Sequence, residues 1–397
     1  MRPRLACSLV LASLTALLLI AAPAAAHANV ASSIPAAGER LDAAPASVSV
    51  TMTQVVDPAG STLTVTAADG GRVDDGNSHI LDEAGRSILM VGLRSGLPDG
   101  IYTMNVRVLS ADGHPVPYTL SFSVGNFTAP GGTAGGPDVP TQAGLARFLA
   151  LSGLTIALGA AAFAAWVMPG RAAPQPRLLA QAVAAGAAAH LAGTLLLLHY
   201  TAGASQLSYG DLWHTDVGQN LFLRASVAAA AVVVALGGAL GRTRAGTTLA
   251  GLLLAGNLVL TAMGSHSAVY GPVTVALDAL HLAAAALWLG GLLMFLLVVW
   301  KGRDGGDVAT LRRIGARFGT LAFACVVALA ATGTITGLSI AGRGGTLSPE
   351  VLASPYGLFL AGKVGLWVVM VALAAVNRYV LLAPPGERGL SRGLQAA

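Results

Sequence analysis

The sequence predicts an all-β domain followed by a polytopic all-α bundle of membrane helices, on three observations. Apolar and polar residues alternate from position 27 to 124. Long apolar runs fill most of the chain from 145 to 382. Charged residues make up only 10% of the 397 residues, against about 25% in a soluble globular chain. That balance belongs to an integral membrane protein.

The elements follow in chain order. Arg2 and Arg4, an apolar core over 9–22 and Ala24-Ala25-Ala26 read as a secretory signal peptide over 1–26, with His27 opening the mature chain. In 27–124, Val48, Val50 and Met52 alternate with Ser49, Thr51 and Thr53. Tyr102, Met104, Val106 and Val108 alternate with polar residues, as do Leu120, Phe122 and Val124. Period two is the mark of half-buried strands. Asp57-Pro58-Ala59-Gly60, Asp69-Gly70-Gly71 and Pro98-Asp99-Gly100 supply turns, so the domain reads as a β-sandwich or small barrel. Residues 125–144, rich in Gly and Pro, read as a linker.

Seven apolar spans follow within 145–382, at about 145–168, 178–201, 221–240, 247–263, 274–300, 314–340 and 357–382, with a tail over 383–397. Each is long enough to cross about 30 Å of hydrocarbon as a helix. Alternate loops are basic: Arg171 and Arg177; Arg242 and Arg244; Lys301, Arg303, Arg312, Arg313 and Arg317; Arg378, Arg388 and Arg392. The opposite loops hold Asp211, Asp216 and Glu350, with Arg343 the exception. The positive-inside rule then puts the β-domain on the extracytoplasmic face of the plasma membrane and the C-terminus in the cytoplasm. The basic residues lie in short clusters between spans, so the net charge of +5 argues for lipid and not for nucleic acid.

Two cysteines, Cys7 in the leader and Cys325 in a span, give neither a disulfide nor a thiolate metal motif. A metal site must therefore use His, carboxylate or Met. A mature N-terminal His27 offers its α-amine and imidazole to one metal, and Asp112-Gly113-His114 adds a carboxylate and a second imidazole. Such donors suit Cu(II) best among the common divalent ions. Met52, Met90 and Met104 are scattered on strands and read as core, and His79 as a loop residue. In the membrane part, Asp278 and His281 are three apart on the fifth span and share a helix face. His266 lies just past the fourth span, three residues after Met263. These four form a candidate copper entry site, since ionisable groups inside spans are costly and functional by default. His190 and His199 fall on opposite faces of the second span, and His199, nearer the mouth, is the better ligand candidate. Arg224 and Lys363 read as snorkelling side chains.

His27-Ala28, Ser33-Ile34-Pro35-Ala36-Ala37-Gly38 and Ser110-Ala111-Asp112-Gly113-His114-Pro115-Val116 resemble the CopC family of copper-resistance proteins. The resemblance covers 27–124 and implies a cupredoxin-like, Ig-like sandwich that binds Cu(II) through His27, Asp112 and His114. The Met-rich Cu(I) site of some members has no counterpart. Gly264-Ser265-His266-Ser267-Ala268, Asp278-Ala279-Leu280-His281-Leu282, Leu287-Trp288-Leu289-Gly290-Gly291, Tyr356-Gly357, Lys363 and Asn377-Arg378 resemble the CopD family. That implies a copper-uptake bundle in which Cu(I) can be bound; seven spans depart from the eight often assigned. The expected function is copper homeostasis without catalysis: Cu(II) capture outside and copper transfer into or across the membrane. The expected partners are copper, lipid and other copper-handling proteins. Two alternatives stand beside it: a tethered buffer or sensor, and a copper or haem redox enzyme.

Overall fold

The computed structural model describes residues 28–83, 85–110, 113, 115–135, 141–168, 176–241, 243–265, 268, 271–301 and 308–341, with six residues between 361 and 368. The β-domain contains β1 (Val30–Ile34), β2 (Arg40–Leu41), β3 (Ser47–Met52), β4 (Val56–Ala67), β5 (His79–Glu83), β6 (Arg86–Gly92), β7 (Gly100–Ser110), β8 (Pro115–Val124) and β9 (Thr133–Gly135). One sheet runs β1-β3-β6-β5 and the other β2-β8-β7-β4, with β9 on β8. All pairs are antiparallel except β2 with β8.

The alternation read from the sequence decides which side chains fill the sandwich. Val48, Val50 and Met52 on β3, Tyr102, Met104, Val106 and Val108 on β7, and Val116, Tyr118, Leu120 and Phe122 on β8 are all buried in one core. Tyr102 stacks on Phe122 with ring centroids 5.5 Å apart, an arrangement that adds to simple area burial. Met52 and Met104 are core residues, whereas Met90 is half-buried. His79 opens β5 instead of lying in a loop.

Two expected features take a different form. The turn at 57–60 is an irregularity inside β4, where pairing with β7 slips between Asp57 and Thr62. Pro58 has no N–H to offer the ladder, and Asp57 Oδ1 accepts from the amides of Ala59 (3.0 Å) and Gly60 (3.1 Å). The backbone donors are thus satisfied without a chain reversal. In the stretch read as linker, residues 133–135 add to the sheet edge as β9, and the first membrane helix begins at Thr141.

The helical part holds α1 (Thr141–Ala162), continued by a π-helical turn (Phe163–Val167), then α2 (Pro176–Ser205), the short α3 (Tyr209–Trp213), α4 (Asp216–Gly241), α5 (Arg244–Met263), α6 (Pro272–Lys301) and α7 (Val308–Ala341). Six of these are long and apolar enough to cross a membrane. They correspond to the first six spans expected; most of the seventh, 357–382, lies outside the described residues. α3 is an unexpected element, capped by Ser208 Oγ accepting from the Asp211 amide at 3.1 Å.

α1 is central and packs on α2, α5 and α6. Small residues allow this closeness: a Cβ on Gly290 of α6 would lie 2.1 Å from the Thr155 carbonyl oxygen and 2.9 Å from Gly159 Cα of α1. Without a hydrophobic drive between helices in lipid, such close van der Waals contact supplies the association energy.

Candidate functional site

Strand pairing gathers one end of the sandwich. The Asn29 amide donates to Thr53 Oγ1 (2.9 Å), and the Thr53 amide to the Asn29 carbonyl (2.8 Å). Three residues on, Val56 pairs with Ser110, and the Gly113 amide donates back to the Ser110 carbonyl at 2.8 Å. Ala28 is fully buried, and its carbonyl accepts from the Tyr118 hydroxyl at 2.8 Å. Burial pushes the Tyr118 phenol up to about 12, so it stays a neutral donor at ordinary pH. Gly113 has φ +81°, a conformation glycine adopts without penalty. His27, Asp112 and His114 lie outside the described residues; Ala28 and Gly113, their immediate neighbours, are at this same end.

That end faces the helix bundle across a cavity of about 860 Å³. From the β-domain come Val55, Val56, Asp57, Pro58, Asp82 and Gly113. From the helices come Arg147 and Ala150 of α1, Thr201 of α2, Asp216, Asn220 and Arg224 of α4, Thr261 and Met263 of α5, and Asp278 of α6. Two hydrogen bonds join the walls. Thr201 Oγ1 donates to the Gly113 carbonyl at 3.5 Å, and the Val217 amide, in the first turn of α4, donates to Asp57 Oδ2 at 3.3 Å. Asp57 thus meets the positive end of a helix. Burial, helped by Asp216 nearby, still holds its carboxyl above the ordinary value, against the lowering effect of the Val217, Gly60 and Ala59 amides.

The membrane candidates separate. Asp278 lines the cavity and accepts from Ser265 Oγ at 2.7 Å; Met263 lines it too. His281 turns to α7, with Nδ1 2.9 Å from Thr332 Oγ1. Three residues on a helix subtend about 60°, enough in this packing to send Asp278 toward Ser265, just past the end of α5, and His281 toward α7. His199 is exposed and bonds the Tyr209 hydroxyl of α3 at 2.8 Å, and it is not among the residues lining the cavity. His266 lies outside the described residues. Among the described residues no three His, Cys, Asp or Glu side chains gather into a metal-binding group.

Sequence reasoning missed Asp57, Gly113 as a contact residue, and Arg224 as a cavity residue. The Asp-Pro-Ala-Gly pattern marked Asp57 as a turn residue, but its second oxygen serves a partner 160 positions away. Behind the cavity lies a polar layer. His190 is fully buried with Nδ1 2.8 Å from the Ala150 carbonyl, and Asn257 donates to the Arg224 carbonyl at 2.9 Å.

Comparison with known proteins places these two parts. Residues 30–125 match the CopC domain and residues 312–395 match Copper resistance protein D. Copper transport protein CutJ of Bacillus subtilis (strain 168) is 26% identical over 392 residues, spanning 94% of this chain and 71% of that one. Copper resistance protein D of Pseudomonas syringae pv. tomato is 34% identical over 121 residues, spanning 29% of this chain and 37% of that one. Among solved structures, CopC from Methylosinus trichosporium OB3b is 27% identical, covering 25% of this chain and 93% of that one, with TM-score 0.22. PcoC, a methionine-rich copper resistance protein from Escherichia coli, is 24% identical, covering 25% of this chain and 99% of that one, with TM-score 0.20. The chain thus carries a CopC domain over residues 30–125, followed by a Copper resistance protein D domain over residues 312–395, in one multi-pass membrane protein.

Proposed function

We propose that this chain captures Cu(II) on the extracytoplasmic side of the membrane, at the bundle-facing end of its β-domain, through His27, Asp112 and His114, and passes copper to the helical bundle through the cavity between them. One observation carries the reading: Gly113, the middle residue of the Asp-Gly-His turn, is hydrogen-bonded to α2 and forms part of the wall of a cavity that reaches Met263 and Asp278. The donor set fits the cargo. Two imidazoles, an α-amine and a carboxylate favour Cu(II) over other common divalent ions. Copper leaving the turn enters a space lined by four carboxylates, Asp57, Asp82, Asp216 and Asp278. Their negative field, focused between low-dielectric walls, raises the local cation concentration. Fusion in one chain keeps donor and acceptor together at high effective concentration.

Within the bundle the first copper contacts are Asp278 and Met263, with His266 beside Ser265, the residue that bonds Asp278. His281 and His199 belong to later or peripheral steps. The relatives named for copper transport and copper resistance support the cargo assignment.

The test is accumulation of radioactive copper in cells carrying the wild type, His114→Ala or Asp278→Asn, together with Cu(II) stoichiometry on the purified chain. Transfer requires that His114→Ala lose both Cu(II) binding and accumulation, and that Asp278→Asn lose accumulation alone. Unchanged accumulation in both variants refutes transfer and leaves a tethered copper buffer.

A further inference from the structure

We propose that Arg224 makes the inner wall of the cavity a binding site for a small carboxylate anion, a second ligand beside copper. Arg224 lies eight residues into α4, about 12 Å along the helix from Asp216 at 1.5 Å per residue. It is 6% exposed and lines the cavity. Its Nε is buried with no hydrogen-bond partner, and among the described residues no carboxylate pairs with it. The Asn257 amide nitrogen holds the Arg224 backbone carbonyl, so helix position is fixed while the guanidinium is left for the cavity.

A guanidinium cannot shed its proton in a protein. Burying it within a membrane bundle without a counter-charge is costly, and such groups face cavities or partners. Arg147 of α1 lines the same cavity. Copper alone does not answer this arrangement, because a cation cannot pair with a guanidinium. An anion with two acceptor oxygens does: the planar fork of arginine matches a carboxylate in a bidentate pair. The cavity volume of about 860 Å³ accommodates such a molecule. The cavity is therefore bipolar, with carboxylates from Asp57, Asp82, Asp216 and Asp278 and the guanidinium of Arg224. Copper and a small carboxylate can occupy it together, each reducing the repulsion the other meets.

The test uses the full chain in detergent without copper, titrated calorimetrically with acetate against chloride at equal ionic strength. Wild type is expected to bind acetate more tightly than chloride. Arg224→Gln is expected to weaken acetate by at least about tenfold, the loss of a charge-assisted pair. Arg224→Lys keeps the charge but not the fork and falls between them. Equal response to acetate and chloride in the wild type, or none to either at millimolar concentration, overturns the site without any variant being needed. Equal acetate affinity in wild type and Arg224→Gln overturns it as well. Because copper is absent, failure here leaves the copper-transfer reading standing, and failure of that reading leaves the anion site standing.

Discussion

Substituting Gly113 by alanine tests the turn and its contact with the bundle at once. With φ at +81°, an L side chain there costs roughly 1–2 kcal/mol. The added Cβ would also lie 3.1 Å from Val217 Cγ1, a contact that Val217 relieves only by shifting a few tenths of an ångström. The expected sum is about 1–3 kcal/mol; the copper-free turn can relax this strain and the turn closed on copper cannot, so Cu(II) affinity falls by roughly five- to 160-fold. The assay is Cu(II) titration of four full-length chains: wild type, Gly113→Ala, Val217→Ala and the double variant. Val217→Ala alone is expected to leave affinity within about 0.5 kcal/mol of wild type. The double variant should recover only the contact share, a coupling that a double-mutant cycle isolates. Wild-type affinity in Gly113→Ala would refute the requirement for a left-handed residue between Asp112 and His114. No recovery in the double variant would refute the contact between the turn and α4.

Three further outcomes follow from other contacts. Tyr118→Phe leaves the buried Ala28 carbonyl without its donor, costing about 1–3 kcal/mol; thermal unfolding should show it, with weaker Cu(II) binding at the adjacent His27. Burial holds the Asp57 carboxyl above its ordinary 3.8, so the folded chain keeps a proton there that the unfolded chain has already lost. Stability should therefore fall as pH rises from 3.8 toward the raised value, and denaturant melts should find this dependence reduced in Asp57→Asn. Gly290→Ala would drive a methyl into the Thr155 carbonyl and should lower the melting temperature in detergent, at a cost of about 1–3 kcal/mol. Gly256→Ala, with open space at its Cβ, should leave it unchanged.

The sequence by itself determined the main strands of the sandwich and the six described membrane helices, because both rest on local rules. Period two on β3, β7 and β8 set which residues face the core, and an uninterrupted apolar run has no alternative to a helix in lipid. It also supplied the Asp-Gly-His turn as a set of donors, since ligand chemistry is written in residue types. It did not determine which polar groups meet. Asp278 and His281 share a face by spacing, yet they bond Ser265 and Thr332 on different neighbours. Asp57 looked like a turn residue until α4 came to its second oxygen. Arg224 looked like a snorkelling cation, but packing buries it against the cavity with its Nε unpaired among the described residues. Only tertiary structure decided these, because the pairing of elements far apart in the chain depends on how whole helices and sheets pack, and no local pattern of residues records that.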